Sequence, residues 1–156
     1  MNIVDVIVEE ETGLVVPPDE FSLNYINLIL DYLGLEDKEI SIVLTGDDSI
    51  SKLNKLYRDK TGPTDVLTFC QNDDISEFPT GFGIQSNFLG DIIISLDTLK
   101  RNSKYFKVTF EEELNRLLIH GILHLVGMDH ETNNSDEKML LFQEKILKEI
   151  KTGSKG

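Results

Sequence analysis

The sequence predicts an α+β fold, in which one small mixed sheet of about four strands is flanked by helices in a single domain over residues 1–156. Three observations predict it. Short apolar, β-branched runs alternate with stretches of helical periodicity. No internal repeat or long linker divides the chain. Its 156 residues suit one domain and are enough to bury one hydrophobic core.

Four short runs have the composition of β-strands, with apolar or β-branched residues bounded by turn or helix signals. In chain order they are residues 3–8, 40–44, 66–69 and 92–94. The last of them, Ile92-Ile93-Ile94, is apolar at successive positions, which is typical of a strand buried on both faces.

The first three helices are expected beside these strands, and the first two have start or stop signals. The signals are Pro17-Pro18-Asp19 before the first helix and Gly34 after it, and an Asp47/Asp48 cap before the second. A third helix is expected around residues 98–105. The Asn-, Asp- and Gly-rich stretch from Gln71 to Phe88 is expected to be a loop, and loops this long are more often functional than idle.

The last two helices have the clearest boundaries. Thr109 and Glu112 form a capping box, in which each side chain satisfies a free amide of the other residue, and the helix should end near Val126. Gly127 then takes the left-handed terminating conformation. A second possible box, formed by Asn134 and Glu137, precedes a final amphipathic helix that ends near Ile150.

The charge of the chain limits its partners. A formal net charge of −13 argues against indiscriminate binding to phosphate backbones, and DNA is not expected as a partner. Eight of the fifteen Lys and Arg residues nevertheless lie in two short stretches: Lys52, Lys55, Arg58 and Lys60, and then Lys100, Arg101, Lys104 and Lys107. They form either two solvated helix faces or the border of a cleft that holds an anionic substrate.

Composition also predicts the compartment. The longest apolar stretches fall far short of the roughly 20 residues that a membrane span needs, and no basic signal region is seen at the N-terminus. Cys70 is the only cysteine, so no internal disulfide can form. A cytoplasmic protein without membrane association is expected.

The three histidines of the chain predict a metal site. His120 and His124 are four residues apart, which places both imidazoles on one face of a helix. Gly127 allows a sharp turn that brings back His130 as a third ligand. Histidine nitrogens suit zinc, with one ion per chain, and three ligands leave a fourth position open, as in catalytic zinc sites.

This spacing, H-x-x-x-H-x-x-G-x-x-H, is also that of the metzincin peptidases, whose metal-bearing helix the prediction resembles. Those enzymes carry a glutamate general base directly after the first histidine, whereas this chain has Gly121. A peptidase without that base lacks a proton acceptor for the attacking water. Peptide hydrolysis is therefore the weaker interpretation.

Three blocks of sequence resemble the YbeY family, bacterial endoribonucleases also called rRNA maturation factors. The first block, His120-Gly121-Ile122-Leu123-His124-Leu125-Val126-Gly127-Met128-Asp129-His130, is similar to the family's HGxLHLxGYDH. The second consists of Tyr57-Arg58 and Pro63-Thr64-Asp65-Val66-Leu67-Thr68-Phe69, and it is similar to YRxxDxPTDVLSF. The third, Leu89-Gly90-Asp91-Ile92, is similar to LGDI. The departures are Thr61 for Asp, Cys70 for Pro and Met128 for Tyr.

The resemblance implies a zinc-dependent endoribonuclease specific for single-stranded RNA. It implies roles in rRNA maturation, including processing of the 16S 3′ end, and in ribosome quality control, with rRNA and ribosomal particles as partners. By resemblance the zinc ligands are His120, His124 and His130, and Arg58 is the essential arginine. As a hypothesis, Arg58 clamps a phosphate through its planar guanidinium; the alternative is an ordinary surface ion pair.

Several other residues in or near these blocks can each be interpreted in two ways. Asp129 either orients a ligand imidazole or belongs to the turn, and Asp91 either approaches the metal or caps a nearby turn. Cys70 is better explained as a small buried hydrophobe than as a fourth ligand. Three loop phenylalanines, Phe78, Phe82 and Phe88, either pack over the sheet or stack RNA bases.

Two rivals to the endoribonuclease remain on the sequence alone. One is a zinc peptidase, which the ligand spacing favours and Gly121 disfavours. The other is a non-catalytic ribosome-assembly factor with a histidine-bound metal, because the net charge is strongly negative and no general base is evident.

Overall fold

A computed structural model of the chain describes residues 1–9, 21–71, 87–128 and 137–150. Within these ranges the chain forms four strands and five helices. The strands are β1 (Ile3–Val8), β2 (Glu39–Thr45), β3 (Val66–Cys70) and β4 (Phe88–Ser95). The helices are α1 (Phe21–Tyr32), α2 (Asp47–Arg58), α3 (Leu96–Phe106), α4 (Phe110–Leu125) and α5 (Lys138–Glu149).

The four described strands form one mixed sheet in the order β1-β2-β4-β3. β1, β2 and β4 run parallel to one another, and β3 pairs with β4 in the antiparallel direction. This confirms the predicted fold class. Phe88, expected in the loop, is instead the first residue of β4 and pairs with Glu39. Residues 72–86 of that expected loop, with Phe78 and Phe82, lie outside the described residues.

The two faces of the sheet are covered by different helices. Ile92 and Ile94 of β4 point into the main core, which they share with α1, α3, α4 and α5. Ile93 points the other way into a small cluster with Ile50 of α2 and Leu67 of β3. The expectation that residues 92–94 are buried on both faces is therefore confirmed, and α2 and α4 lie on opposite faces of the sheet.

The start of α2 differs from the prediction. Gly46 is the N-cap residue, and Asp47 stands inside the first turn of the helix rather than capping it. The Asp47 carboxylate instead accepts hydrogen bonds from the hydroxyls of Ser95 (2.7 Å) and Thr98 (2.6 Å) and pairs with Arg101 (2.9 Å). Asp47 therefore joins α2 to the junction of β4 and α3, a tertiary role that local capping rules do not anticipate.

The termini of α4 are close to those expected. The Thr109 hydroxyl accepts a hydrogen bond from the Glu112 amide at 3.0 Å, which is one half of the capping box. The Glu112 carboxylate pairs instead with Arg116 one turn later. Gly127 has a φ of +102°, in the left-handed region that was predicted.

The bounds of the other helices also bear on the prediction. The second expected box requires Glu137 at the third position of the helix, but Glu137 is instead the N-cap residue of α5; Asn134 lies outside the described residues. The longest helix that the structure describes, α4, has 16 residues. In the described ranges no helix has both the length and the apolar composition needed to cross a bilayer.

Candidate metal centre

Two of the three predicted ligands converge on one face of α4. The imidazole rings of His120 and His124 lie edge to face with centroids 4.7 Å apart, and their Nε2 atoms are 3.1 Å apart. Two nitrogens bound tetrahedrally to one zinc ion at 2.0–2.1 Å would be about 3.3 Å apart. The separation of the two Nε2 atoms is therefore close to that of two nitrogen ligands of one tetrahedral zinc ion.

The third predicted ligand, His130, lies outside the described residues, as does its neighbour Asp129. Within the described ranges no group of three or more His, Cys, Asp and Glu side chains is arranged to hold a metal ion. The described part of the predicted site is thus the pair of histidines on α4.

A glutamine that the sequence did not single out holds His120 from the neighbouring helix. The side-chain Oε1 of Gln143 in α5 lies 2.7 Å from Nδ1 of His120. Gln143 is only 6% exposed, and its contact with His120 is partly buried. A lone polar residue on an amphipathic helix gives no signal in sequence, because its partner lies 23 positions earlier and is reached only when α4 and α5 pack.

A charged cluster lies one turn before His120 on α4. Arg116, whose side chain is 22% exposed, contacts Glu112 at 3.0 Å, Glu113 at 2.9 Å and Glu144 of α5 at 2.8 Å. Burial alone would raise the pKa of the Glu144 carboxyl, but hydrogen bonds from Arg116 and Gln143 outweigh it and the pKa is lowered. Glu144 is therefore a carboxylate that joins the two helices.

A polar cavity of about 550 Å³ opens beside His120. It is lined by residues of four segments: Thr64, Asp65 and Val66; Asn102 and Phe106; Glu113, Arg116, Leu117 and His120; and Leu140 and Gln143. Burial raises the pKa of the Asp65 carboxyl, and the nearby His120 partly opposes this shift. None of the eight cations in the two basic stretches is among the described lining residues.

Arg58 lies against the edge strand β3. It is the last residue of α2, and its Nη2 donates a hydrogen bond of 2.6 Å to the carbonyl of Thr68 in β3. Its guanidinium carbon stands 5.3 Å from the centre of the Phe69 ring. In the described residues Arg58 thus contacts the edge strand β3 rather than the histidines.

The family model described as Endoribonuclease YbeY matches residues 19–151. This chain belongs to the YbeY endoribonuclease family. Relatives named Endoribonuclease YbeY include one from Treponema denticola, 46% identical over 82% of this chain and 81% of its own length, and one from Borrelia hermsii, 43% identical over 82% and 83%. The solution structure of TM1509 from Thermotoga maritima matches 99% of this chain and 100% of its own with a TM-score of 0.60 and 25% identity.

Membership in the YbeY family confirms the resemblance that the three sequence blocks predicted, and with it the prediction of an endoribonuclease. The matched range includes His120, His124, His130 and Arg58, the four residues predicted to form the site. Their roles as metal ligands and phosphate clamp stay predictions.

The packing of Gly121 gives a structural reason why this YbeY family member has no glutamate after its first histidine. A Cβ at position 121 would lie 2.9 Å from Cδ1 and 3.0 Å from Cγ2 of Ile92, which is fully buried in β4. A glutamate there would have to push the Ile92 side chain aside and would carry its carboxylate towards apolar surroundings, which is costly without a partner. Packing therefore disfavours a general base at this position, as the peptidase alternative would need.

Cys70 and Asp91 occupy different faces of the sheet in this YbeY fold. The Cys70 thiol donates to the carbonyl of His124 at 3.4 Å, and its side chain packs against the main core as a partly buried hydrophobe would. Asp91 pairs with Phe69, which belongs to the cluster on the α2 face. Because strand side chains alternate, Asp91 is directed away from α4 and does not approach the histidine pair.

Proposed function

We propose that this chain is a zinc-dependent endoribonuclease that cleaves single-stranded RNA in the cytoplasm. Its role is rRNA maturation, including the 16S 3′ end, and ribosome quality control, with ribosomal particles as partners. The observation that carries the proposal is the convergence of the His120 and His124 Nε2 atoms, 3.1 Å apart, in a member of an endoribonuclease family. His130 is proposed as the third ligand.

The size of the cavity beside the pair supports a single-stranded substrate in this proposal. Zinc bound by the histidines would supply a Lewis acid for a phosphoryl oxygen. The adjacent cavity of about 550 Å³ has the size of a small-ligand cleft, so it fits one or two nucleotides of an unpaired strand better than a duplex. Bases of a single strand can be splayed into such a cleft and hydrogen-bonded on their edges.

Metal removal tests the function directly. Purified protein, either zinc-loaded or stripped with a chelator, is offered single-stranded RNA, duplex RNA, single-stranded DNA and an unfolded protein. We expect zinc-dependent cleavage of single-stranded RNA alone, measured by gel electrophoresis of end-labelled substrates. Proteolysis would establish the peptidase instead. Tight zinc binding with no cleavage of any substrate would favour a non-catalytic assembly factor.

The phosphate-clamp role of Arg58 predicts a loss of activity without a loss of metal. The described contacts engage one nitrogen of the guanidinium with Thr68 and place the group over Phe69, so its orientation is fixed while its other donors remain for a phosphate. Replacing Arg58 with alanine should lower kcat/KM for single-stranded RNA about 100-fold, as for the loss of one charge-stabilising donor. Zinc stoichiometry, measured by plasma mass spectrometry, should stay unchanged.

Two further variants sharpen this prediction. Arg58→Lys keeps the charge but cannot bind a phosphate bidentately, so it should restore only a small part of the activity. Lys55→Ala, on the same helix, removes a cation whose described partner is the exposed Asp59, and it should leave kcat/KM near the wild-type value. Equal losses of kcat/KM in Arg58→Ala and Lys55→Ala would show that Arg58 contributes only positive charge and does not clamp the phosphate.

A further inference from the structure

We propose that Gln143 is a positioning residue for the metal centre, which fixes the His120 imidazole with its Nε2 lone pair facing His124. The inference rests on the proposed zinc function. It goes beyond the ligands themselves, because it assigns the orientation of a ligand on α4 to a side chain of α5. A chain of hydrogen bonds connects Arg116 to His120 through Glu144 and Gln143.

The chain begins with the carboxylate of Glu144. Arg116 donates to Glu144 Oε2 from Nε at 2.8 Å and to Oε1 from Nη2 at 3.2 Å, a bidentate contact between α4 and α5. The Gln143 side-chain Nε2 lies 3.0 Å from the same Oε2. A carboxylate only accepts hydrogen bonds, so the amide nitrogen of Gln143 has to face Glu144 and donate to it.

The orientation of that amide decides which nitrogen of His120 carries a proton. With Nε2 of Gln143 turned to Glu144, its Oε1 is the atom 2.7 Å from Nδ1 of His120. A carbonyl oxygen only accepts, so Nδ1 of His120 has to be the donor. A neutral imidazole protonated at Nδ1 has its lone pair at Nε2, the atom that lies 3.1 Å from Nε2 of His124.

Burial makes this arrangement rigid. Gln143 is 6% exposed and Leu117, which lines the same cavity, is 5% exposed, so packing encloses most of the Gln143 side chain. Metal-ligating histidines commonly donate their second ring nitrogen to a carboxylate, a backbone carbonyl or water, which fixes the tautomer and strengthens the ligand. Gln143 provides this acceptor as a neutral amide whose own orientation is set by a charged pair.

Zinc affinity tests the positioning role. Gln143→Met keeps the length of the side chain but removes the acceptor, and it should weaken zinc binding about 10- to 100-fold in chelator competition at fixed pH. Gln143→Glu restores an acceptor oxygen and should bind zinc more tightly than Gln143→Met. Ile146→Val, a fully buried change on the same helix, should lower the free energy of unfolding but leave zinc affinity at the wild-type value.

The tautomer itself gives a readout that needs no metal. Nitrogen NMR of the neutral His120 ring in the metal-free protein should show a proton on Nδ1 in the wild type and on Nε2 in a substantial fraction of Gln143→Met. Wild-type zinc affinity in Gln143→Met, or an unchanged tautomer, would overturn the role of Gln143. A wild type that shows the Nδ1 tautomer but binds no zinc would instead overturn the proposed function.

Discussion

Replacing His124 with alanine is expected to abolish stoichiometric zinc binding and RNA cleavage together, while the protein stays folded. His124 contributes one of two nitrogens that converge on the same point, and it is only partly buried, so its removal opens no large void in the core. The loss of affinity should exceed the roughly 10- to 100-fold that follows from removing an outer partner of a ligand. Plasma mass spectrometry and RNA cleavage assays measure both effects.

A matched control separates metal loss from damage to the helix. Val126, two residues further along and 37% exposed, can be replaced by alanine at the same end of α4. This variant should keep zinc, cleavage and the circular dichroism spectrum of the wild type. Stoichiometric zinc in the His124→Ala protein would show that the ligands lie elsewhere.

The substitution Gly90→Ala is expected to have the largest effect on stability. Gly90 has a φ of +144°, and a Cβ there would lie 2.2 Å from the carbonyl oxygen of Phe69 and 2.8 Å from the side chain of Leu125. The first contact is with backbone of β3, which cannot move without breaking the sheet. Backbone strain and overpacking together should cost about 3 kcal/mol or more of unfolding free energy, measured by urea denaturation.

Gly62→Ala provides the control for this prediction. Gly62 also has a positive φ, +94°, but a Cβ there would meet no heavy atom within 4 Å. Its replacement should cost only the conformational term of about 1–2 kcal/mol. Equal losses in the two variants would show that the close approach of β3 and α4 to Gly90 does not contribute, and a Gly90→Ala protein that fails to fold would agree with the larger cost.

The sequence was informative wherever the determining interactions are local. The i, i+4 spacing of His120 and His124 placed both imidazoles on one helical face, and the structure confirms this because helical geometry leaves no alternative. The same holds for the four strands and for the turn at Gly127, whose positive φ follows from its place after the last helical residue.

The other parts of the site depend on tertiary packing, which a single sequence does not reveal. Gln143 reaches His120 only because α5 packs against α4, and Asp65 reaches the cavity only because β3 pairs with β4. The contact of Arg58 with Thr68 likewise forms only because α2 packs beside β3. Asp47 was expected to cap α2, but its carboxylate instead binds Thr98 and Arg101, which are distant in sequence.

The contact between Arg58 and Thr68 has a consequence for self-association. β3 is an edge of the described sheet, and an exposed edge strand is a template on which a second chain can add a strand. A charged guanidinium that occupies a backbone carbonyl of this edge discourages such pairing. Arg58 would thus protect the protein from edge-to-edge aggregation, so the residue proposed to hold the phosphate of an RNA would also hinder pairing of this edge with another copy of the chain.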